Sequence, residues 1–170
     1  MSKTILITGG AGFIGSHTAD ALLARGYRVR VLDALISQVH PQRCRPDYLA
    51  NDVELLVGDI CDPEAMAAAL DGVDYVYHMA AETGVGQSLV EVERYVQTNV
   101  TGTAVLWQTI QRTQAPIKRL ILASSRAVYG EGEYGCPTCG VVYPGQREAA
   151  QLHDEQWHPT CPHCQRLLCL

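Results

Sequence analysis

Residues 8–15, Thr-Gly-Gly-Ala-Gly-Phe-Ile-Gly, have the types and spacing of a phosphate-binding turn. Gly10, Gly12 and Gly15 match the pattern G-x-G-x-x-G, and Gly9, Gly12 and Gly15 match the variant G-x-x-G-x-x-G. In such a turn one glycine permits the sharp bend, a second lets the backbone approach a pyrophosphate, and a third lets the helix pack against the strand. The helix that follows presents unpaired N–H groups to the anion. The stretch therefore predicts a dinucleotide site.

An acidic side chain stands where a dinucleotide site needs one to bind a ribose. Asp33 follows Gly15 by eighteen residues and ends the β-like run that begins at Arg28. A carboxylate there accepts hydrogen bonds from the ribose hydroxyls of NAD and repels the 2′-phosphate of NADP. NAD is therefore the expected cofactor, although an aspartate at the end of a strand can also simply face solvent.

Four cysteines near the end of the chain have the spacing of a zinc ribbon. Cys136-Pro-Thr-Cys139 and Cys161-Pro-His-Cys164 are two C-x-x-C pairs separated by 21 residues. Four thiolates complete a tetrahedron and leave no open position, which predicts a structural zinc rather than a catalytic one. A disulfide is disfavoured in a reducing compartment, and neither pair opens a helix as a thioredoxin-like redox pair does. The nearby histidines, like Cys169, are not expected to be ligands.

These candidate residues need a scaffold, and the first two-thirds of the chain alternates short apolar runs with helical patterns, as in a parallel α/β sheet. The predicted strands cover residues 4–7, 28–33, 53–57, 73–78 and 117–123, and the predicted helices cover residues 16–25, 63–70 and 91–113. Asp62 and Pro63 are expected to cap and start the second helix. Residues 34–50 are predicted to be a loop. From residue 131 onwards apolar periodicity disappears.

We therefore predict a Rossmann-type doubly wound parallel sheet, truncated, over residues 1–133, followed by a small zinc-ribbon-like module over residues 134–170. The formal net charge of −5 gives no basic footprint for nucleic acid or anionic lipid. No apolar run reaches the roughly 18 residues of a membrane span, and the N-terminus does not resemble a secretory signal. We expect a cytoplasmic protein with no nucleic-acid or membrane partner.

The chain resembles the extended short-chain dehydrogenase/reductase family, the NAD-dependent nucleotide-sugar epimerases and dehydratases. The resemblance rests on five motifs in order: the glycine turn, Gly58-Asp59-Ile60, His78-Met79-Ala80-Ala81, Asn99-Val100-Thr101-Gly102-Thr103 and Ser124-Ser125-Arg126-Ala127-Val128-Tyr129-Gly130. It implies that a nucleotide sugar is the substrate, that Asp59 and Ile60 contact the adenine, that Ala80 and Ala81 line the cofactor cleft, and that Asn99 helps to hold the active-site strand ends. Together with the glycine turn and Asp33, the expected cofactor-binding residues are Gly9, Gly12, Phe13, Ile14, Gly15, Asp33, Asp59, Ile60, Ala80, Ala81 and Asn99. Taken alone, Asp59 could instead cap the following helix, and Asn99 could be a surface amide.

Two further stretches narrow the resemblance to the subgroup described as dTDP-L-rhamnose 4-epimerase-like. They are Gln38-Val39-His40 after the second strand and Glu82-Thr83-Gly84-Val85-Gly86-Gln87-Ser88 after the fourth. One departure lies in the second stretch. Some epimerases of the family carry a lysine that touches the cofactor at the position of Thr83.

The catalytic residues implied by the resemblance are incomplete in these 170 residues. Ser125, with Ser124 as the next candidate, would hydrogen-bond the reacting sugar hydroxyl, although either serine could simply cap a strand end. The family's Tyr-x-x-x-Lys pair is absent, because the two lysines, Lys3 and Lys118, have no tyrosine four residues before them. An unperturbed tyrosine titrates near pH 10 and is a poor base at neutral pH. We expect an N-terminal part of a longer enzyme, able to bind NAD but inactive alone.

Two alternatives remain open at the level of the sequence. A sugar dehydratase or decarboxylase would share every motif, although dehydratases commonly carry Asp-Glu where this chain has Arg126-Ala127. A non-catalytic NAD-binding or zinc-mediated interaction protein would need no tyrosine. The parent enzyme is expected to be a homodimer that pairs through its long helices, one of which is residues 91–113.

Overall fold

The computed structural model describes residues 2–168, so Cys169 lies outside the described residues. The chain divides into two compact units, one ending at Ala123 and the other beginning at Ser124. This division lies ten residues before the boundary placed at 133/134 from composition. In the described part of the chain, no helix has the length and apolar character needed to cross a membrane.

The first unit is built on a five-stranded parallel sheet. Its strands are β1 (Thr4–Thr8), β2 (Arg28–Asp33), β3 (Glu54–Val57), β4 (Tyr75–His78) and β5 (Arg119–Leu122). Their spatial order is β3-β2-β1-β4-β5, which is the order of the first five strands of a Rossmann sheet. All five residues of β1 are buried, as expected for a central parallel strand that is covered on both faces.

Helices cover both faces of this sheet. They are α1 (Phe13–Leu23), α2 (Pro63–Leu70), the short α3 (Val85–Ser88), α4 (Val92–Val96) and α5 (Gly102–Thr113). On one face, Ala19 and Leu22 of α1 pack with Ile7. On the other, Met66 of α2 and Leu106 of α5 pack with the opposite side of the same strands. The sheet thus has a core on each side, and its carboxyl ends remain free for a site.

Two local predictions can be compared directly with the structure. Asp62 caps α2 by accepting a hydrogen bond from the Glu64 N–H at 2.8 Å, and Pro63 is the first helical residue, as predicted. Residues 92–113 are helical throughout, as predicted, but the helix is not uniform. A wide π-helical turn at Gln97–Thr101 separates α4 from α5, because one additional residue is accommodated there.

The second unit has little regular structure. A short 3₁₀ helix at Arg126–Tyr129 is followed by an antiparallel hairpin of β6 (Tyr134–Cys136) and β7 (Gly140–Val142) and then by α6 (Ala149–His153). Its only buried cluster among the described residues consists of Cys136, Val142, Cys161 and Leu168, with Tyr134 against it. So small a core is far below what a domain of this length normally buries.

Candidate functional site

A cavity of about 600 Å³ lies in the first unit at the carboxyl ends of β1 to β4. Its volume falls in the range of roughly 300–1,000 Å³ typical of cofactor sites, and its position is where open α/β sheets bind ligands. Ten of the eleven predicted cofactor residues line it: Gly9, Gly12, Phe13, Ile14, Gly15, Asp33, Asp59, Ile60, Ala80 and Ala81. The eleventh, Asn99, is not among the lining residues.

Packing within the protein explains the glycine at position 9 but not the one at position 12. Gly9 has a φ of +67°, and a Cβ there would lie 2.7 Å from the Cα of Ala80. At Gly12 a Cβ would meet only the Gly9 carbonyl oxygen, at an ordinary contact distance of 3.4 Å. Gly12 nevertheless lines the cavity and immediately precedes α1. The missing side chain therefore leaves room for a ligand at the helix N-terminus, which fits a pyrophosphate.

Asp33 is fixed by two backbone donors. Its Oδ2 accepts a hydrogen bond from the Ala11 N–H at 3.0 Å, and its Oδ1 accepts one from the Leu35 N–H at 2.9 Å. Each carboxylate oxygen has a further lone pair, so the group can still accept hydrogen bonds from two ribose hydroxyls. Tyr48, which the sequence did not indicate, donates from its hydroxyl to the Ala11 carbonyl at 2.7 Å. The loop at residues 34–50 thereby supports the glycine turn.

Neither Asp59 nor Asn99 has the simpler role that its position alone allowed, which was a helix cap for Asp59 and a surface amide for Asn99. Asp59 accepts a hydrogen bond from the Cys61 N–H at 2.8 Å and does not cap α2, because Asp62 does. Asn99 lies in the π-helical turn and holds the backbone of Glu82 at both ends. Its Oδ1 accepts from the Glu82 N–H at 2.8 Å, and its Nδ2 donates to the Glu82 carbonyl at 3.0 Å. Asn99 thus positions a cavity-lining segment.

A buried chain of hydrogen bonds, absent from the sequence predictions, supports the same segment from below. The Thr103 hydroxyl donates to the Asn99 carbonyl at 2.8 Å, so it accepts from His78 Nε2 at 2.9 Å. His78 Nδ1 then accepts from the Thr8 hydroxyl at 2.7 Å. Burial lowers the pKa of His78, which matches the neutral ring that this donor pattern requires. The chain ties β1, β4 and α5 together beneath the cavity.

The two predicted catalytic serines belong to the second unit, whereas all residues that line the cavity belong to the first. The Ser125 hydroxyl oxygen accepts a hydrogen bond from the Ala127 N–H at 3.1 Å and caps the 3₁₀ helix. Ser124 is exposed. Ser125 thus caps a 3₁₀ helix rather than a strand end, and the catalytic role of both serines stays a prediction.

The four predicted cysteine ligands come together in the second unit. Their Sγ atoms all lie within 4.8 Å of one another, and those of Cys136 and Cys164 are 3.6 Å apart. This is far beyond a disulfide bond of about 2.05 Å. With zinc–sulfur bonds of about 2.3 Å, the sulfurs of a regular tetrahedron are roughly 3.8 Å apart. The donor set and its spacing fit a tetrahedral metal.

The backbone around the cysteines is also shaped for thiolates. Each C-x-x-C pair is followed by a residue with a left-handed backbone, Gly140 at φ 77° and Gln165 at φ 59°. The backbone N–H groups of Thr138 and Cys139 lower the pKa of Cys136 to about 7. The neighbouring Cys164 thiol, in contrast, raises the pKa of Cys139 to about 12. Four crowded thiols cannot all ionise unless a cation compensates their charge.

The chain is similar to known nucleotide-sugar epimerases in both sequence and structure. It is 45% identical over 157 residues to a dTDP-L-rhamnose 4-epimerase of Burkholderia thailandensis, which covers 91% of this chain and 43% of that protein. The UDP-glucose 4-epimerase of Brucella ovis in complex with NAD superposes with a TM-score of 0.65 at 32% identity, covering 76% of this chain and 38% of that one. The UDP-glucose 4-epimerase of Thermotoga maritima with UDP-glucose gives 0.65 at 36% identity, covering 76% and 40%.

The Burkholderia relative matches more of this chain than the two solved structures do. The Burkholderia alignment leaves only about 15 residues of the chain uncovered, so it includes at least part of the 37-residue cysteine segment. The two solved structures leave about 41 residues uncovered. The chain spans about two fifths of the length of these relatives. Residues 5–148 match the family described as NAD dependent epimerase/dehydratase, and the chain belongs to that family.

Proposed function

We propose that this chain is the NAD-binding part of a nucleotide-sugar 4-epimerase. The main support is that four strands end at one cavity. This cavity includes the space beside Gly12, where packing within the protein does not require a glycine. In this proposal the N-terminus of α1 holds the pyrophosphate, Asp33 accepts hydrogen bonds from a ribose, and Asp59 and Ile60 contact the adenine. A bound NAD would supply reversible hydride transfer, so that the sugar carbon could be oxidised to a ketone and reduced again on its other face.

The roles of the chain's own residues follow from their contacts. Asn99 and the buried His78 hydrogen-bond chain would keep the segment after β4 in place beside the nicotinamide end, with Ala80 and Ala81 lining the cleft. Ser125, or else Ser124, would bind the reacting sugar hydroxyl. The deprotonating tyrosine and its lysine are not among these 170 residues. We therefore expect NAD binding without turnover of a sugar.

A titration and a turnover assay test this proposal. Isothermal titration of the purified chain should show saturable NAD binding and weaker binding of NADP, because the Asp33 carboxylate repels a 2′-phosphate. Absence of NAD binding would overturn the cofactor assignment. Incubation with dTDP-L-rhamnose should yield no 4-epimer, and formation of the epimer would contradict the expected inactivity.

The choice of dTDP-L-rhamnose as the parent enzyme's substrate is supported by the Burkholderia relative, whose alignment extends into the cysteine segment. A dehydratase or decarboxylase, or a non-catalytic NAD-binding protein, is the alternative. Sequencing the gene beyond the codon for Leu170 separates an enzyme of either kind from the binding protein. A downstream Tyr-x-x-x-Lys supports an enzyme, and a stop codon supports a binding protein.

We further propose that Cys136, Cys139, Cys161 and Cys164 hold one structural zinc ion. The second unit has almost no apolar core, so a metal would supply the stability that packing does not. Elemental analysis of the purified chain should give one zinc per molecule. The double change Cys136→Ser with Cys139→Ser should abolish it, whereas Cys44→Ser, at an exposed cysteine outside the cluster, should not. Zinc retained by the double variant would refute the site.

The parent enzyme is also proposed to be a homodimer that uses the long helical segment. Val92, Val96, Val100 and Trp107 are exposed apolar residues on that segment, each between 49% and 62% accessible. Such a stripe is typical of a helix that pairs with another helix. Light scattering should detect a dimer of the parent enzyme, and Val100→Glu should shift it to the monomer.

A further inference from the structure

The cavity has two sides that are far apart in the sequence. One side, which we call the β2 side, is residues 34–40, of which Ile36, Val39 and His40 line the cavity. The other, which we call the β4 side, is residues 80–98, of which Glu82 and Arg94 are lining residues. The β2 side contains Gln38, and the β4 side contains Gln87. These are the two stretches whose sequences resemble a single subgroup of the family.

Gln38 connects the two sides directly. Its Nε2 donates a hydrogen bond to Gln87 Oε1 at 2.9 Å, and its Oε1 accepts one from Arg94 Nη2 at 3.1 Å. Both ends of one amide thus join segments about 50 residues apart; Arg94 lines the cavity, whereas Gln38 and Gln87 lie outside its lining. Gln38 itself is exposed, while its neighbour His40 is buried and anchors the β2 side.

The β4 side of this connection is held rigidly. Arg94 donates from Nε and Nη2 to the two carboxylate oxygens of Glu82 at 3.0 and 2.9 Å, and from Nη1 to Glu91 at 2.8 Å. This is the bidentate geometry that a guanidinium forms and an ammonium cannot. The Glu82 side chain is only 10% exposed, and Asn99 fixes its backbone. Arg94 is therefore oriented before Gln38 reaches it.

We propose that Gln38, Gln87 and Arg94 form a clasp across the cofactor cavity that slows release of the bound dinucleotide. The inference rests on the proposed NAD binding and goes beyond it. A reaction that removes a hydride and returns it to the same sugar leaves the cofactor unchanged, so the cofactor never needs to leave between turnovers. The Gln38 hydrogen bonds are solvent-exposed and individually modest, so they open reversibly when NAD enters or leaves. The clasp thus acts on the rate of exchange rather than on the fold.

Stopped-flow measurement of NAD release tests the clasp. The chain is loaded with the fluorescent analogue etheno-NAD and mixed with an excess of unlabelled NAD. We expect Gln38→Ala to raise the dissociation rate by about tenfold, as the loss of one or two modest hydrogen bonds predicts. Gln87→Ala should raise it less, because Arg94 still holds Gln38. Combining the two changes should add little to Gln38→Ala, because they break a shared bond.

The matched control is Gln111→Ala, which removes the same side chain type from an exposed position of α5 outside the cavity lining. It should leave the dissociation rate unchanged, and circular dichroism should show that all variants remain folded. A Gln38→Ala rate within twofold of the wild type overturns the clasp while leaving NAD binding intact. A wild-type chain that binds no etheno-NAD and no NAD overturns the proposed function and the clasp together.

Discussion

Gly9→Ala should destabilise the fold, whereas Gly12→Ala should change its stability little, because packing within the protein requires a glycine only at position 9. Gly12→Ala adds a methyl group whose nearest protein atom is 3.4 Å away, at a backbone φ of −74° that alanine adopts freely. Glycine is preferred over alanine at the residue that precedes a helix, so its loss there destabilises the fold by about 1 kcal/mol. Alanine also has less conformational freedom than glycine in the unfolded chain, which stabilises the fold by about 0.4–1 kcal/mol. The free energy of unfolding should therefore change by less than about 1 kcal/mol.

Gly9→Ala is the matched control for that change. The left-handed φ of +67° costs a side chain about 1–2 kcal/mol, and the contact at 2.7 Å with the Cα of Ala80 adds about 1–3 kcal/mol of overpacking. The expected destabilisation is about 2–5 kcal/mol. Urea unfolding followed by circular dichroism measures both variants.

The NAD affinity of Gly12→Ala then decides the assignment. The added methyl group occupies the position where the pyrophosphate is proposed to lie against the backbone, so titration should show an affinity at least about tenfold weaker, or about 1.4 kcal/mol. A stable Gly12→Ala chain that binds NAD as tightly as the wild type would refute the placement of the pyrophosphate.

Three further predictions concern charge, pH and metal. Asp33→Asn should weaken NAD binding and reduce the ratio of NAD affinity to NADP affinity, as measured by titration with each cofactor. An unchanged ratio would contradict the proposed contact of Asp33 with the ribose. Burial lowers the pKa of His78, so as the pH falls below the unfolded value of about 6.5 the unfolded state binds a proton first. Stability should then fall by up to about 1.4 kcal/mol per pH unit, and His78→Gln should lack this component in urea unfolding. A chelator should reduce amide protection in residues 134–168 and spare residues 2–123, as measured by hydrogen exchange; uniform loss would contradict two separate units.

The parts of the fold that were predictable carry local signals. The bounds of β2 and α2 match the prediction, because Asp62 and Pro63 mark a helix start and the apolar alternation ends at Asp33. The π-helical turn at Gln97–Thr101 was not predictable, since one additional residue in a helix leaves the apolar spacing almost unchanged over the window that a period requires. The short helix Val85–Ser88 was missed because it has no buried residue to produce a pattern.

The site shows the same division between local and distant signals. The glycine turn and Asp59 were identifiable because each belongs to a short motif whose chemistry is contained in consecutive residues. The contacts of Gln38 with Arg94, and of Thr8 with His78, join positions 56 and 70 residues apart. Only the strand order brings such pairs together, and no local pattern encodes it. For the first pair, the available signal was the polar residues that follow β2 and β4, the two strands that flank β1.

The small core of the cysteine unit bears on how such a segment can be attached to a larger protein. Tyr134, near the start of the segment, packs against the same cluster that contains Leu168, near its described end. A segment whose two ends meet can be added to a surface connection of an existing domain without displacing the elements on either side. A metal that holds the cluster together would also let such a segment fold without borrowing a core from its host.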